Sequence, residues 1–263
     1  MSVRRAQWAR TALSALALSA LGVVACSTSP PASVRAVPGS VVSTSTSVVS
    51  TSTPAAPAAT VAPAITTTAG AAGPASGFAA TVTPVSAGDL GRSWHDGCPV
   101  GPDRLRTVKL SYWGFDDRFH DGVVVVDATV ADAVISVFHR LYDEHFPIAG
   151  MRPIDAFAGD DNASMAADNT SGFNCRAAVA AGPPQWSAHA YGQAVDVNPV
   201  ENPYIQGADV LPPAGTPFVD RSQSRPGMAV AGGPLTSAFA AAGWSWGGRW
   251  SSPDYQHFSA TGG

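Results

Sequence analysis

Two short stretches of this 263-residue chain join histidine to carboxylate. They are Ser187-Ala188-His189-Ala190-Tyr191-Gly192-Gln193-Ala194-Val195-Asp196 and Trp250-Ser251-Ser252-Pro253-Asp254-Tyr255-Gln256-His257-Phe258. Catalytic zinc typically takes three His or carboxylate ligands at about 2.0–2.2 Å and leaves its fourth position to water. His189, Asp196 and His257 supply such a set. Gly192 permits a sharp turn after His189, so a strand starting near Ala194 can bring the Asp196 carboxylate back towards the imidazole. Asp254, three residues before His257, is left unligated and close, as a general base for zinc-activated water must be. The chemistry is amide hydrolysis without a covalent intermediate. The remaining histidines, His95, His120, His139 and His145, belong to neither stretch and read as structural. Asp160, Asp161 and Asp168 lack EF-hand spacing and read as a solvated acidic loop.

Written as patterns, the stretches are Ser-x-His-x-x-Gly-x-Ala-x-Asp and Asp-x-x-His-Phe. In residue type, spacing and order they resemble the zinc D-alanyl-D-alanine carboxypeptidase and L-alanyl-D-glutamate endopeptidase family. That family cleaves peptidoglycan stem peptides and shares its fold with the hedgehog signalling domain. The resemblance covers roughly residues 145–260. It implies zinc on His189, Asp196 and His257, with Asp254 as catalytic base. It also implies that Arg176, in Phe173-Asn174-Cys175-Arg176, is the arginine on an upstream strand that contacts substrate and steadies the developing oxyanion; from the residues alone, Arg176 also reads as a surface ion-pair partner. Ser187 is expected to line the substrate cleft or to support the ligand shell. In the carboxypeptidase branch the base is usually Glu and a Trp precedes the second histidine; here Asp254 and Gln256 stand in those places, which is more like the endopeptidase branch. The bond that is cut stays open between the two. A peptidase for another small peptide and a non-catalytic, zinc-containing wall-binding module also fit the motifs, but a binding module has no need of Asp254.

The elements that must carry these residues are legible in outline. Thr107 to Trp113 and Gly122 to Asp127 are β-rich runs that read as neighbouring strands. From an N-cap at Thr129, Val130, Val134, Phe138 and Leu141 recur at helical spacing as far as about Phe146, where Pro147 stops the helix. An extended segment over Ile148 to Phe157, a loop over 158–172 and short strands at Phe173 to Arg176 and Ala194 to Asn198 follow. An irregular excursion spans 199–233, and a helix from Leu235 to Ala242 precedes a final strand at Trp244 to Trp246. The expected fold class is α+β, a small and mostly antiparallel sheet with flanking helices and long loops. The family resemblance adds zinc in a central cleft.

No acidic residue precedes Asp89, so residues 89–263 hold all 19 acids against 11 of the 15 basic residues, a formal charge of −8. Such a surface excludes nucleic acid as a partner. The 175 residues from Asp89 suit one domain with a sizeable core, here the zinc peptidase domain over 89–263, expected to act as a monomer on peptidoglycan stem peptides. Arg4, Arg5 and Arg10 precede an uncharged, mostly apolar run from Thr11 to Ala25, long enough for a secretory signal and too short for a comfortable membrane span. It ends in Val23-Val24-Ala25-Cys26, which resembles the lipobox of bacterial lipoproteins. Residues 1–25 thus read as a signal peptide, and Cys26 as the lipidated N-terminus anchoring the protein to the outer face of the cytoplasmic membrane. Residues 26–88, almost wholly Ser, Thr, Ala, Pro, Val and Gly, read as a disordered stalk. With Cys26 lipidated, Cys98 and Cys175 remain as an even pair in an oxidising compartment, which predicts a disulfide between them.

Overall fold

In a computed structural model, which describes residues 77–179 and 183–262, the β-branched runs fold as the expected hairpin. Strand β1 (Ala80–Pro84) lies antiparallel to β2 (Leu105–Gly114), which turns at Phe115–Arg118 into β3 (Phe119–Asp127). Side chains alternate across this sheet. Val108, Leu110, Val124 and Val126 enter the main core, while Leu105 and Val125 face a smaller cluster with Val85, Leu90 and Phe173. Helix α2 (Ala131–Asp143) covers the main-core face with Val134, Val137, Phe138 and Leu141, all essentially buried. Strand β4 (Pro147–Ile148) pairs parallel with the far end of β2.

The second half builds a smaller sheet on the same core. Strands β5 (Ala194–Asp196), β8 (Ser245–Trp246) and β9 (His257–Ser259) lie in the order β5-β9-β8, all antiparallel. Val195 and Phe258 pair across β5 and β9 and are fully buried beside Leu235 and Phe239 of α4 (Pro234–Ala241). Phe258 stacks on Phe239 with ring centroids 4.0 Å apart. Between β5 and α4, strands β6 (Tyr204–Gln206) and β7 (Asp209–Leu211) form a separate hairpin. The architecture is the expected α+β, with small antiparallel sheets and few helices.

Several sequence expectations require correction. The domain does not start at residue 89, because β1 and the first two residues of the short helix α1 (Ala87–Leu90) come from the segment assigned to the stalk. Ala-Thr-Val-Thr-Pro has stalk-like composition, and only the free edge of β2 makes it a strand; Phe78 packs on the core and stacks on His139. Thr129 is not an N-cap. Asp127 takes its N–H and hydroxyl instead, and α2 begins after Val130. The extended segment predicted over Ile148–Phe157 narrows to β4 and a 3-10 turn at Ile154–Phe157. Asp161–Ala166 of the predicted loop is helix α3, N-capped by Asp160. Phe173–Arg176 is extended but forms no ladder, with isolated bridges at Ser171 and Ala177 on either side. The excursion over 199–233 contains the β6–β7 hairpin, and β9 follows the strand expected to be last. The signal peptide, Cys26 and residues 27–76 lie outside the described residues.

Two devices tie the loops down. Cys98 and Cys175 form the expected disulfide, with S–S 2.04 Å. Beyond β5, the buried amides of Asn198 and Asn202 bond the carbonyls of Pro147, Val197 and Gly227 and the N–H groups of Ala149 and Ala229. Beside this network sits buried Glu201, next to Asp168. Burial, and then the Asp168 charge, pushes Glu201 up to about 8 from an ordinary 4.5. The folded chain therefore keeps a proton that the unfolded chain releases. Stability from this pair is full below the ordinary value and is lost as pH rises through the folded one. Denaturant melts between about pH 5 and about pH 8 are expected to show stability falling with pH, and Glu201→Gln to flatten that slope.

Candidate metal centre and active site

The register of the small sheet sets the site. Asp196 and His257 are direct cross-strand partners on β5 and β9, so their side chains leave on one face, opposite to the buried Val195–Phe258 pair. His189 arrives from a 3-10 turn at Ala188–Tyr191. Ser187 caps that turn, its hydroxyl accepting the His189 N–H at 3.3 Å. Gly192 ends it at φ +67°, and a Cβ there would lie 2.5 Å from the Asp127 amide nitrogen. Only glycine allows the turn to reverse so close to β3, where the Gly192 carbonyl accepts the Asp127 N–H.

The three predicted ligands converge. His189 Nε2 lies 3.2 Å from Asp196 Oδ2 and 3.1 Å from His257 Nδ1, and His257 Nδ1 lies 3.1 Å from Asp196 Oδ1. An ion with tetrahedral bonds of about 2.0 Å holds its ligand atoms about 3.3 Å apart. His189 Nδ1 donates to the Gly172 carbonyl at 2.7 Å, which leaves Nε2 as a lone pair aimed at the cluster. Two ring nitrogens and a carboxylate, all buried, thus crowd one point, an arrangement that could hold a metal ion. Their charge states reflect this. Burial works against charge on His189, but Asp196 outweighs it and the net shift is upward. Burial would raise Asp196, yet the two histidines hold it well below the usual carboxylate range. Burial lowers His257.

Asp254 stands beside the cluster without joining it. Its backbone carbonyl accepts the His257 N–H, and its Oδ1 is buried with no hydrogen-bond partner among the described residues. Burial first, and the Asp196 charge second, push its carboxyl well above the ordinary value. A carboxyl so placed holds its proton more tightly than an exposed one. Its segment is braced by backbone bonds to Gly247 and by an isolated bridge to Tyr204 of β6. Trp250, 38% exposed, lies 5.2 Å from the His257 ring and forms an open wall. Trp244 belongs to the core, and Trp246 donates its indole N–H to the Tyr255 carbonyl.

Arg176 is carried up to this group by its backbone, whose carbonyl accepts the Ser187 N–H at 3.1 Å. Its charge is felt by His189, His257 and Asp254. The acidic loop resolves into separate tasks: Asp160 caps α3, Asp161 pairs with Arg176, and Asp168 takes the Val200 N–H. Sequence reasoning missed Asp161 and the Gly172 carbonyl. The Asp160 capping pattern ahead of an Ala-Ser-Met-Ala run was an available signal for α3; a backbone carbonyl leaves none. His95, Cys98 and Cys175 also gather, but both sulfurs are spent in the disulfide.

Residues 181–260 match the D-alanyl-D-alanine carboxypeptidase family model, which bears out the resemblance carried by the two motifs. No curated protein and no solved structure gives a significant match to the chain.

Calorimetric titration of chelator-stripped protein with zinc is expected to give one ion per chain, with affinity reduced about 100-fold or more in His257→Ala. Each imidazole must be free of the competing proton to bind the ion, so affinity is expected to weaken as pH falls.

Proposed function

We propose that the chain is an exported zinc peptidase that hydrolyses peptide bonds in peptidoglycan stem peptides, either the L-Ala-D-Glu or the D-Ala-D-Ala bond. The observation that carries this reading is an unpaired, buried carboxyl oxygen on Asp254 beside three convergent ligand atoms. His189, Asp196 and His257 would hold the ion. When bound, zinc supplies a Lewis acid that acidifies water and polarises a carbonyl.

The remaining work falls to the chain's own side chains. Asp254 takes a proton from the attacking water as its oxygen bonds to the scissile carbonyl carbon. It returns that proton to the nitrogen as the C–N bond breaks, so the carboxyl ends as it began. Arg176 offers positive charge to the oxygen that gains it in the transition state. Ser187 keeps the His189 turn in place, and Trp250 walls the approach to His257. On this reading Cys26 and the stalk hold the domain at the outer face of the cytoplasmic membrane, within reach of the wall. Among the described residues, no helix is long and apolar enough to cross a membrane.

The test is mass spectrometry of fragments from defined muropeptides. Wild-type protein is expected to release one product pair, abolished by chelator and restored by zinc, and the masses identify the bond. Asp254→Asn is expected to retain zinc while losing about 100- to 10,000-fold in rate. Unchanged hydrolysis in that variant would remove Asp254 from the mechanism. A wild-type protein that binds zinc yet releases nothing would favour a wall-binding module.

A further inference from the structure

Arg176 needs a fixed guanidinium if it is to serve a transition state, because an arginine side chain has several freely rotating bonds. Its Nε lies 3.0 Å from Asp161 Oδ2, with the two side chains only 26% and 25% exposed. The contact is Coulombic rather than a linear hydrogen bond, since Nε has no aligned acceptor. The other oxygen of the same carboxylate, Oδ1, accepts the Asn174 side-chain amide at 3.2 Å. Asn174 is itself almost fully buried, and its backbone N–H donates to the His189 carbonyl. Asp161 is therefore held from one side by the segment that orients a metal ligand and holds the arginine on the other. Its pairing through Nε leaves the terminal nitrogens of Arg176 with a single long contact, 3.4 Å from Nη1 to the Ala177 carbonyl.

We propose that Asp161 is the positioning residue for Arg176, its carboxylate, steadied by Asn174, fixing the guanidinium beside the ligand cluster. This rests on the peptidase reading and adds a residue to it. Asp161 touches neither substrate nor ion; it acts by restricting where the arginine points and by offsetting part of its charge in the resting site. His189 also feels the Asp161 charge, which places the carboxylate within the field of the cluster.

A double-mutant cycle on the zinc-loaded protein tests this. Asp161→Ala is expected to lower kcat about 10-fold with KM little changed, and Asp161→Asn, which keeps an acceptor for Asn174, to lose less. In an Arg176→Ala background, itself slower by about 100-fold, Asp161→Ala is expected to add nothing. An equal further loss in that background, or a kcat unchanged by Asp161→Ala, would overturn the proposal. Independently of turnover, the 15N–1H heteronuclear NOE of Arg176 Nε is expected to report a rigid side chain in the wild type and a mobile one in Asp161→Ala. Equal mobility in both would also overturn it. If the wild type cleaves no muropeptide while this signal changes as expected, the positioning role stands and the peptidase reading falls.

Discussion

The site depends on one cross-strand pairing, that of β5 with β9. A shift of register by a single residue would send Asp196 and His257 to opposite faces of the small sheet. What prevents the shift is the neighbouring pair. Val195 and Phe258 are both fully buried, and Phe258 lies flat against Phe239 of α4. Moving either strand by one position would expose this pair and drive a carboxylate and an imidazole into the core. The cost of burying charge without a partner exceeds any single packing term in the sheet. The same alternation that fills the core therefore aligns the ligands, and their geometry needs no support from side chains of their own.

Charge inside the cluster follows from that alignment. Asp196 is held ionised by the two imidazoles around it, against burial, and Asp254 is pushed towards its protonated form by burial first and by the Asp196 charge second. Two neighbouring carboxylates thus acquire opposite tendencies, one towards the ionised form and one towards the protonated form. The difference lies in their neighbours. Asp196 has two partners, whereas Asp254 Oδ1 has none among the described residues.

Much of this was legible from the residues. The hairpin, α2, α4 and β5 follow from β-branched runs and helical periodicity, and the ligand set follows from two motifs whose spacing suits a turn at Gly192. What was not legible depends on contacts made at long range. β1 has the composition of a stalk and becomes a strand because β2 offers an open edge. β6, β7 and β9 are three residues each, too short for periodicity to emerge. The segment Phe173–Arg176 looks like a strand, but the N–H groups of Phe173, Asn174 and Cys175 and the Arg176 carbonyl go to Val125, His189, Ser93 and Ser187 in turn, partners spread over β3, the segment after α1 and the His189 turn, so no ladder forms. Asp161 gave only a polar signal, and its pairing with Arg176 depends on how two loops meet.

The larger sheet, which contributes no ligand, sets the orientation of His189 all the same. The Val125 carbonyl of β3 accepts the Phe173 N–H at 2.7 Å, and the Asp127 N–H of β3 donates to the Gly192 carbonyl at 2.8 Å. Gly172 lies so close to β3 that a Cβ would meet the Val125 oxygen at 2.3 Å. Its carbonyl, placed by that approach, is the acceptor that selects the His189 tautomer. Both ends of the loop that carries His189 are thus hung on one strand, and the ring is turned by the backbone carbonyl of Gly172, immediately before the first of them. β3 in turn is held by β2 and α2, and the loop that follows Gly172 is tied to the N-terminal segment by Cys175. The first half of the domain is accordingly the frame on which the His189 ring is aimed, and disturbing the β3 contacts acts on the His189–Asp196–His257 cluster through the orientation of that ring rather than through the loss of any of the three side chains.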